Sequence, residues 1–258
     1  MNPIARAGTV RSLFRHPVKG FTPEKMASAR LAPGAPWPCD RLYAVENGPS
    51  GFDPAHPAHI SKFMFTVLAS IPRVALARTR FDETTHTISV QAEGFDGFES
   101  ALSTQAGRSA FAGWLTHFLG ETQGALKVVH ADGHRFFDNP RGHVSAINLE
   151  SVRDLERRLG RPVDPARFRG NVYFEGWPAW SELSLAAGGR VRLGDAEAVV
   201  VKPIERCIAT HVDPGRGERD LEVVPALRRF LGHVHCGVYL QVAAAGSVEP
   251  GAAFAEIP

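Results

Sequence analysis

The sequence predicts a β-rich α+β protein with a barrel-like architecture, on three observations. Short apolar runs rich in β-branched residues recur between Gly- and Pro-containing turns, as buried strands do. Prolines crowd the segment around Pro33, Pro36 and Pro38, where they exclude helix and force extended backbone before them. Helical periodicity is confined to two segments and one short piece, so strands predominate.

In chain order, Thr9–Phe14 reads as a first strand running into His16-Pro17-Val18-Lys19-Gly20, a turn that presents a lysine. The Pro-rich Ala32–Arg41 leads into a strand at Leu42–Glu46, and Asn47–Gly51 marks a turn. Residues 59–76 mix strand and helix signals. After a turn at Asp82-Glu83, Thr84–Gln91 alternates like a strand. From Thr104 to Leu119, Phe111, Trp114, Leu115, Phe118 and Leu119 share one helical face, and Gly120 supplies the stop. A second helix spans Asn148–Leu159, with Leu149, Val152, Leu155 and Leu159 on one face. Asn148 is its N-cap, Glu150 suits the positive end of the dipole, and Gly160 and Pro162 end it. Arg157 and Arg158 complement the last carbonyls. Beyond residue 165, strands are expected at Asn171–Phe174, Arg190–Leu193, Ala198–Val201, Ile208–Val212 and Gly237–Ala243, with a helical piece at Pro225–Leu231.

With 258 residues the chain can bury a core without disulfide support, as one large domain or two small ones. A net charge of +2 carries no nucleic-acid signature. Cys39, Cys207 and Cys236 lie far apart without a C-x-x-C, which points to a reducing, cytoplasmic compartment. No apolar run approaches the roughly 20 residues of a membrane span. Arg6, Arg11 and Arg15 without an acid hint at a transit peptide, but the strand-like Thr9–Phe14 argues against one. Neither G-x-G-x-x-G nor a Walker A loop nor H-E-x-x-H occurs.

The chemistry-bearing stretch is Ala198–Asp220, in which a valine-rich run delivers Cys207 beside Arg206 before the turn Asp213-Pro214-Gly215. An adjacent guanidinium favours the thiolate, which is both nucleophile and metal ligand. A small apolar residue ending a core strand is the competing reading. Cys207, His211, His233, His235 and Cys236 offer zinc-type ligands, but in no recognised spacing, and a Cys–His nucleophile pair lacks a third group. Lys19, Arg41, Lys62, Arg167, Arg169 and Arg206 each stand near a turn or strand end. Singly each is a surface cation; together they suit an anionic ligand such as phosphate.

Several stretches carry a resemblance: His16–Gly20, Asp40-Arg41, Arg167-Phe-Arg-Gly-Asn171, Arg206-Cys207 with Thr210 and Val212-Asp-Pro214, and Gly237-Val-Tyr239 with Gly246 and Pro250-Gly251. In this order they resemble the MOSC family in its two-domain form, which includes the mitochondrial amidoxime-reducing component and bacterial relatives. The resemblance implies an N-terminal β-barrel-like domain over residues 1–130 and a MOSC β-barrel over 131–258. It implies a molybdenum cofactor held through the Cys207 sulfur, with Arg206 beside it and the pterin phosphate at Lys19 and Arg41. Arg169 and Asn171 would lie at the pterin. Asp138 and Asn139 fall where the family has polar cofactor contacts, and Lys62 where it commonly has an arginine. Gly170 replaces the usual proline of that motif, and Gly20 replaces a frequent serine. The implied reaction is reduction of small N-hydroxylated compounds, with electrons from a separate flavin or iron–sulfur partner. Two alternatives stand beside it. One is sulfur transfer through a Cys207 persulfide supplied by a cysteine desulfurase, and the other a cofactor-free binding module.

Overall fold

The computed structural model describes residues 6–120, 124–139, 143–185 and 187–257. Its elements in order are β1 (Ala7–Arg15), β2 (Glu24–Met26), β3 (Ala29–Leu31), β4 (Ala44–Asn47), β5 (Arg78–Asp82), β6 (Thr87–Ala92), β7 (Phe95–Ala101), α1 (Gln105–Leu119) and β8 (Leu126–Val129). The second half continues with β9 (Val144–Asn148), α2 (Leu149–Leu159), β10 (Val172–Glu175), β11 (Arg190–Leu193), β12 (Ala196–Glu205), α3 (Val223–Leu231), β13 (His235–Ala244), β14 (Gly246–Val248) and β15 (Ala253–Ile257).

Seven strands close into a barrel in the order β10-β9-β13-β12-β11-β15-β1, and β1 pairs back onto β10. Closure leaves no free edge in the ring, and β2 extends it outside β1. Within the ring β9 and β10 run parallel, which requires a crossover; α2 lies in the connection between them. The inward positions form one apolar core, with Val10, Leu13, Val144, Phe174, Val200, Leu240 and Phe254 all buried. Two tryptophans plug it, Trp37 from the Pro-rich segment and Trp177 from the loop after β10. Outside the ring, α2 and α3 cover a second core that includes Val152, Leu155, Val223 and Leu227.

A separate core draws mostly on residues 42–128, joined by Val18, Phe21 and Val212. There β5, β6 and β7 form an antiparallel meander, β4 pairs with β8, and α1 packs Phe111, Leu115 and Phe118 among them. Contacts cross residue 130, where the division was expected: β1 closes the barrel of the second half, β3 pairs with β14, and Trp37 sits in the barrel core. A strand at the start of the chain fills the one position that would otherwise leave two open edges.

Both expected helices are N-capped: the Asn148 side chain accepts from Glu150 N as expected, and the Thr104 hydroxyl accepts from Gly107 N. Residues 59–76 resolve into two 3-10 turns, Lys62–Met64 and Pro72–Leu76. The expected strand Ile208–Val212 is instead a 3-10 turn, Ile208–His211, after which the chain bends back. Thr210 explains the difference: its amide and its hydroxyl both donate to the Cys207 carbonyl, at 3.1 and 2.9 Å, and close the turn.

Candidate functional site

Where the barrel meets the core drawn mostly from residues 42–128, a cleft of about 450 Å³ opens. Lys19, Arg41, Lys62, Asp138, Asn139, Arg169, Asn171, Arg206 and Cys207 all line it, so every residue that the family resemblance assigned to the site lies along one cavity. Each reaches it from a turn or strand end, which is why such distant positions meet.

Lys19 follows β1 in a turn held by its own amide to the Tyr43 carbonyl, 2.8 Å. Gly20 makes that turn feasible: its φ is +89°, and a Cβ there would stand 2.4 Å from the Thr66 carbonyl oxygen. The family's frequent serine has no room. The Lys19 ammonium is buried, donates to the Phe136 carbonyl at 2.9 Å and pairs with Asp138. Burial pulls its pKa below the ordinary lysine value while Asp138 opposes the shift.

Arg41 and Arg169 both adopt the left-handed backbone region, at φ 50° and 51°. Non-glycine residues there are uncommon and are held by the surrounding structure. Arg41 is tied by its amide to the His16 carbonyl at 2.7 Å, and its guanidinium pairs with Asp40 and donates to the Arg169 carbonyl at 3.2 Å. Arg169 ends a 3-10 turn capped by Asp164 and donates to the Phe21 carbonyl at 2.7 Å. Burial, then the neighbouring Arg41 charge, brings its pKa down to about 10, so it remains a cation at neutral pH.

Asp40 is the hub beneath these arginines. Fully buried, its carboxylate accepts from the His16 amide at 2.6 Å and from Asn171 Nδ2 at 3.1 Å, besides pairing with Arg41. Burial would raise its pKa, but Arg41 and His16 outweigh it and hold the carboxyl at about 2. Asn171 is engaged on all sides. Its Oδ1 accepts from the Ser145 amide and hydroxyl at 3.0 and 2.8 Å, and Nδ2 also donates to the Phe14 carbonyl at 3.3 Å. In this arrangement Asn171 ties β1, β9 and β10 together. Its amide frames the cleft rather than reaching across it.

The other end of the cleft is more open. Cys207, partly exposed, sits between β12 and the Ile208–His211 turn. Arg206 does not supply its cationic neighbour as expected. The Arg206 guanidinium is anchored on the Cys236 carbonyl, through Nε at 2.8 Å and Nη2, and on the Phe168 carbonyl at 2.8 Å. Instead Lys62 is the cation that shares the cleft with Cys207 and feels its charge, with Nζ 3.7 Å from Asp138 Oδ2. Against burial, Asp138 and then Cys207 raise the Lys62 pKa above the ordinary value. Asp138 stands half exposed between Lys19 and Lys62; burial would raise its pKa, but the two lysines outweigh it and hold it at about 2.

Arg167, also considered from the sequence, lines the cleft but is buried in a pairing with Asp213 at 3.3 Å and Asp220 at 2.8 Å. The zinc-type set does not assemble. Cys236 lies in the core under α2 and α3, and His211 Nε2 accepts from the Val224 amide at 3.1 Å. No group of three or more His, Cys, Asp or Glu suited to a metal ion occurs among the described residues. Lys202, on β12, and Tyr239, on β13, also line the cleft. Sequence reasoning missed Lys202 because it ends an apolar run, Val199–Val201, whose bulge against β13 decides which way it points.

A MOSC domain model matches residues 133–255, and a MOSC N-terminal beta barrel domain model matches residues 7–129. The chain belongs to the MOSC family. No curated protein sequence matches it. Among solved structures it is similar to the YUAD protein from Bacillus subtilis, at 14% identity and a TM-score of 0.47, over 98% of this chain and 97% of that one. It is similar also to YiiM from Geobacillus stearothermophilus (24% identity, TM-score 0.36) and from Escherichia coli (22%, 0.34), each over 45% of this chain and 54% of theirs. In this MOSC chain no helix of the described residues is long and apolar enough to cross a membrane.

The donor set fits a molybdenum cofactor. A soft thiol stands at one end of the cleft, and Lys19, Arg41 and Arg169 gather within it, where a phosphate needs charge. The volume falls in the range of small-molecule sites.

Proposed function

We propose that this MOSC protein binds the molybdenum cofactor in the cleft and reduces small N-hydroxylated compounds with electrons from a separate flavin or iron–sulfur protein. One observation carries the reading: Cys207, Lys19, Arg41, Lys62 and Arg169 surround a single cavity, although they come from five separate stretches of the chain. Bound there, the cofactor supplies a metal that exchanges an oxygen atom and two electrons with a substrate. The remaining work falls to the chain. The Cys207 sulfur would hold the metal, and Lys62 brings a positive charge to the same cavity. Lys19 and Arg41 hold the phosphate by charge-assisted hydrogen bonds, each contributing on the order of 1.5–3 kcal/mol. Arg169 lies along the pterin, and Asn171 keeps the arginines and the strands beneath them in place. Asp138 and Asn139 form the polar border of the cleft.

Elemental analysis and pterin fluorescence of protein made in a molybdenum-replete host test this reading. Wild type is expected to carry about one molybdenum and one pterin per chain, and Cys207→Ala to lose the metal and the reductase activity. Full metal content and activity in Cys207→Ala would overturn it. Bound pterin absent from wild type, with a sulfur adduct on Cys207 after incubation with a cysteine desulfurase, would establish sulfur transfer instead.

A further inference from the structure

We propose that Asp138 is a built-in competitor for the cations of the cleft, a carboxylate that an incoming anion must displace from Lys19 and from its neighbour Lys62. The inference rests on the reading of Lys19 as a phosphate-binding residue, extends anion binding to Lys62, and assigns Asp138 a role opposite to that of a cofactor contact.

The three side chains differ in what they can give up. The Lys19 side chain is 6% exposed, Lys62 24% and Asp138 50%. A lysine as buried as Lys19 needs an anion close by to stay charged, and apart from the Phe136 carbonyl its partner is Asp138. Asp138 engages both cations at once, Lys19 through Oδ1 and Lys62 through Oδ2 at 3.7 Å. It belongs to no strand or helix but to a bend after Phe137, and half of its side chain already meets water. Turning the carboxylate outward therefore restores hydration to a group that is partly hydrated, whereas withdrawing Lys19 would strand its ammonium. Asp138 is the member of the trio that can leave.

A phosphate dianion placed on the same two ammonium groups would carry more charge and more acceptor oxygens than a carboxylate. It could not share them with Asp138 in place, because like charges at contact distance repel. The exchange conserves charge neutrality at Lys19 and makes affinity the difference between two anions. Unrelated monoanions are thereby excluded from the cleft, which is specificity by competition.

Pyrophosphate titrated by calorimetry into cofactor-free protein tests the proposal, with Asp138→Asn, Asp138→Ala and the double variant Asp138→Asn/Lys19→Gln. Removing the competitor is expected to tighten pyrophosphate binding by about tenfold or more in both single variants, the size of one lost charge repulsion near a protein surface. The double variant should lose that gain. Equal or weaker binding by the single variants, or a gain that survives Lys19→Gln, would overturn the proposal. If Asp138→Asn fails to fold, Asp138→Ala gives the same reading. Molybdenum content is scored separately. A pyrophosphate gain in a chain that never carries metal leaves the competition standing and removes the cofactor reading; a metal-bearing wild type whose variants show no gain does the reverse.

Discussion

The two ends of the cleft are built on different principles. At the Asp40 end, His16, Asp40, Arg41 and Asn171 are mostly buried, and their polar groups interlock across β1, β9 and β10. At the Cys207 end, the thiol, Lys62 and Asp138 are partly exposed and sit on turns, and Lys62 pairs with Asp138. The first end is preorganised and doubles as the joint between the two halves of the chain. The second can rearrange around a guest. Substitutions at the first end should therefore disturb folding and binding together, and those of the partly exposed side chains at the second should disturb binding alone.

The largest expected effect is at the hub. Asp40→Ala leaves the Arg41 guanidinium, the His16 amide and Asn171 Nδ2 without their buried acceptor. Loss of one partner of a buried, hydrogen-bonded ion pair costs about 3–5 kcal/mol. Chemical denaturation should show a stability loss of that size. If Asp40→Ala loses less than about 1 kcal/mol, the two ends do not differ in the way described.

A smaller effect of the same origin appears with pH. His16 is fully buried; its Nδ1 lies 3.5 Å from Asp40 Oδ1, beyond a good hydrogen bond, and burial, then Arg41, pushes its pKa down to about 3. The unfolded chain takes up a proton on this ring below pH 6.5 that the folded chain refuses. Stability attributable to His16 is thus complete above pH 6.5 and is lost as the pH falls toward 3. Asp40, held at about 2, adds to the loss only below its unfolded value near 4. At pH 5 the histidine contribution alone is about 2 kcal/mol. Comparing pH 7 with pH 5, His16→Gln should lose about 2 kcal/mol less than wild type, whatever the variant's absolute stability. Parallel pH profiles for the two proteins would show that the ring is not held neutral.

Much of this organisation was legible from local patterns, and its limits follow from the same physics. The faces of α1 and α2, the Gly120 stop and the Asn148 cap are written in residue spacing, so both helices could be read. The Val199–Val201 run and the Gly237–Ala243 segment announce β12 and β13. By contrast β9 is buried at every position and shows no alternation, while β7 reads Phe-Asp-Gly-Phe-Glu-Ser-Ala with two acids and a glycine. Neither carries the period of a half-buried strand. The pairing of β1 with β10 and β15 joins residues more than 150 positions apart, and no local signal encodes such a partner. Site residues divide similarly. The type of each cation and its place near a turn could be read, and motif resemblance gathered them. The hub function of Asp40 and the approach of Lys62 to Cys207 in place of Arg206 depend on which turns meet, and that is set by the closed barrel.

The smallest effect is the one that separates the two ends most sharply. Thr210 is buried and its hydroxyl donates to the Cys207 carbonyl at 2.9 Å, closing the turn that presents the thiol. Thr210→Val keeps the shape and removes that hydrogen bond, worth about 1 kcal/mol. Cys207→Ala removes a partly exposed sulfur with no backbone bond and should change stability by less than about 0.5 kcal/mol. If the Cys207 end is an adaptable mouth on a rigid frame, thermal unfolding should rank the variants in the opposite order to metal content. Thr210→Val should be the less stable protein yet retain more molybdenum, because the turn's backbone bond from the Thr210 amide to the same carbonyl remains. A Thr210→Val protein as empty of metal as Cys207→Ala would mean that the thiol is held as rigidly as the arginines.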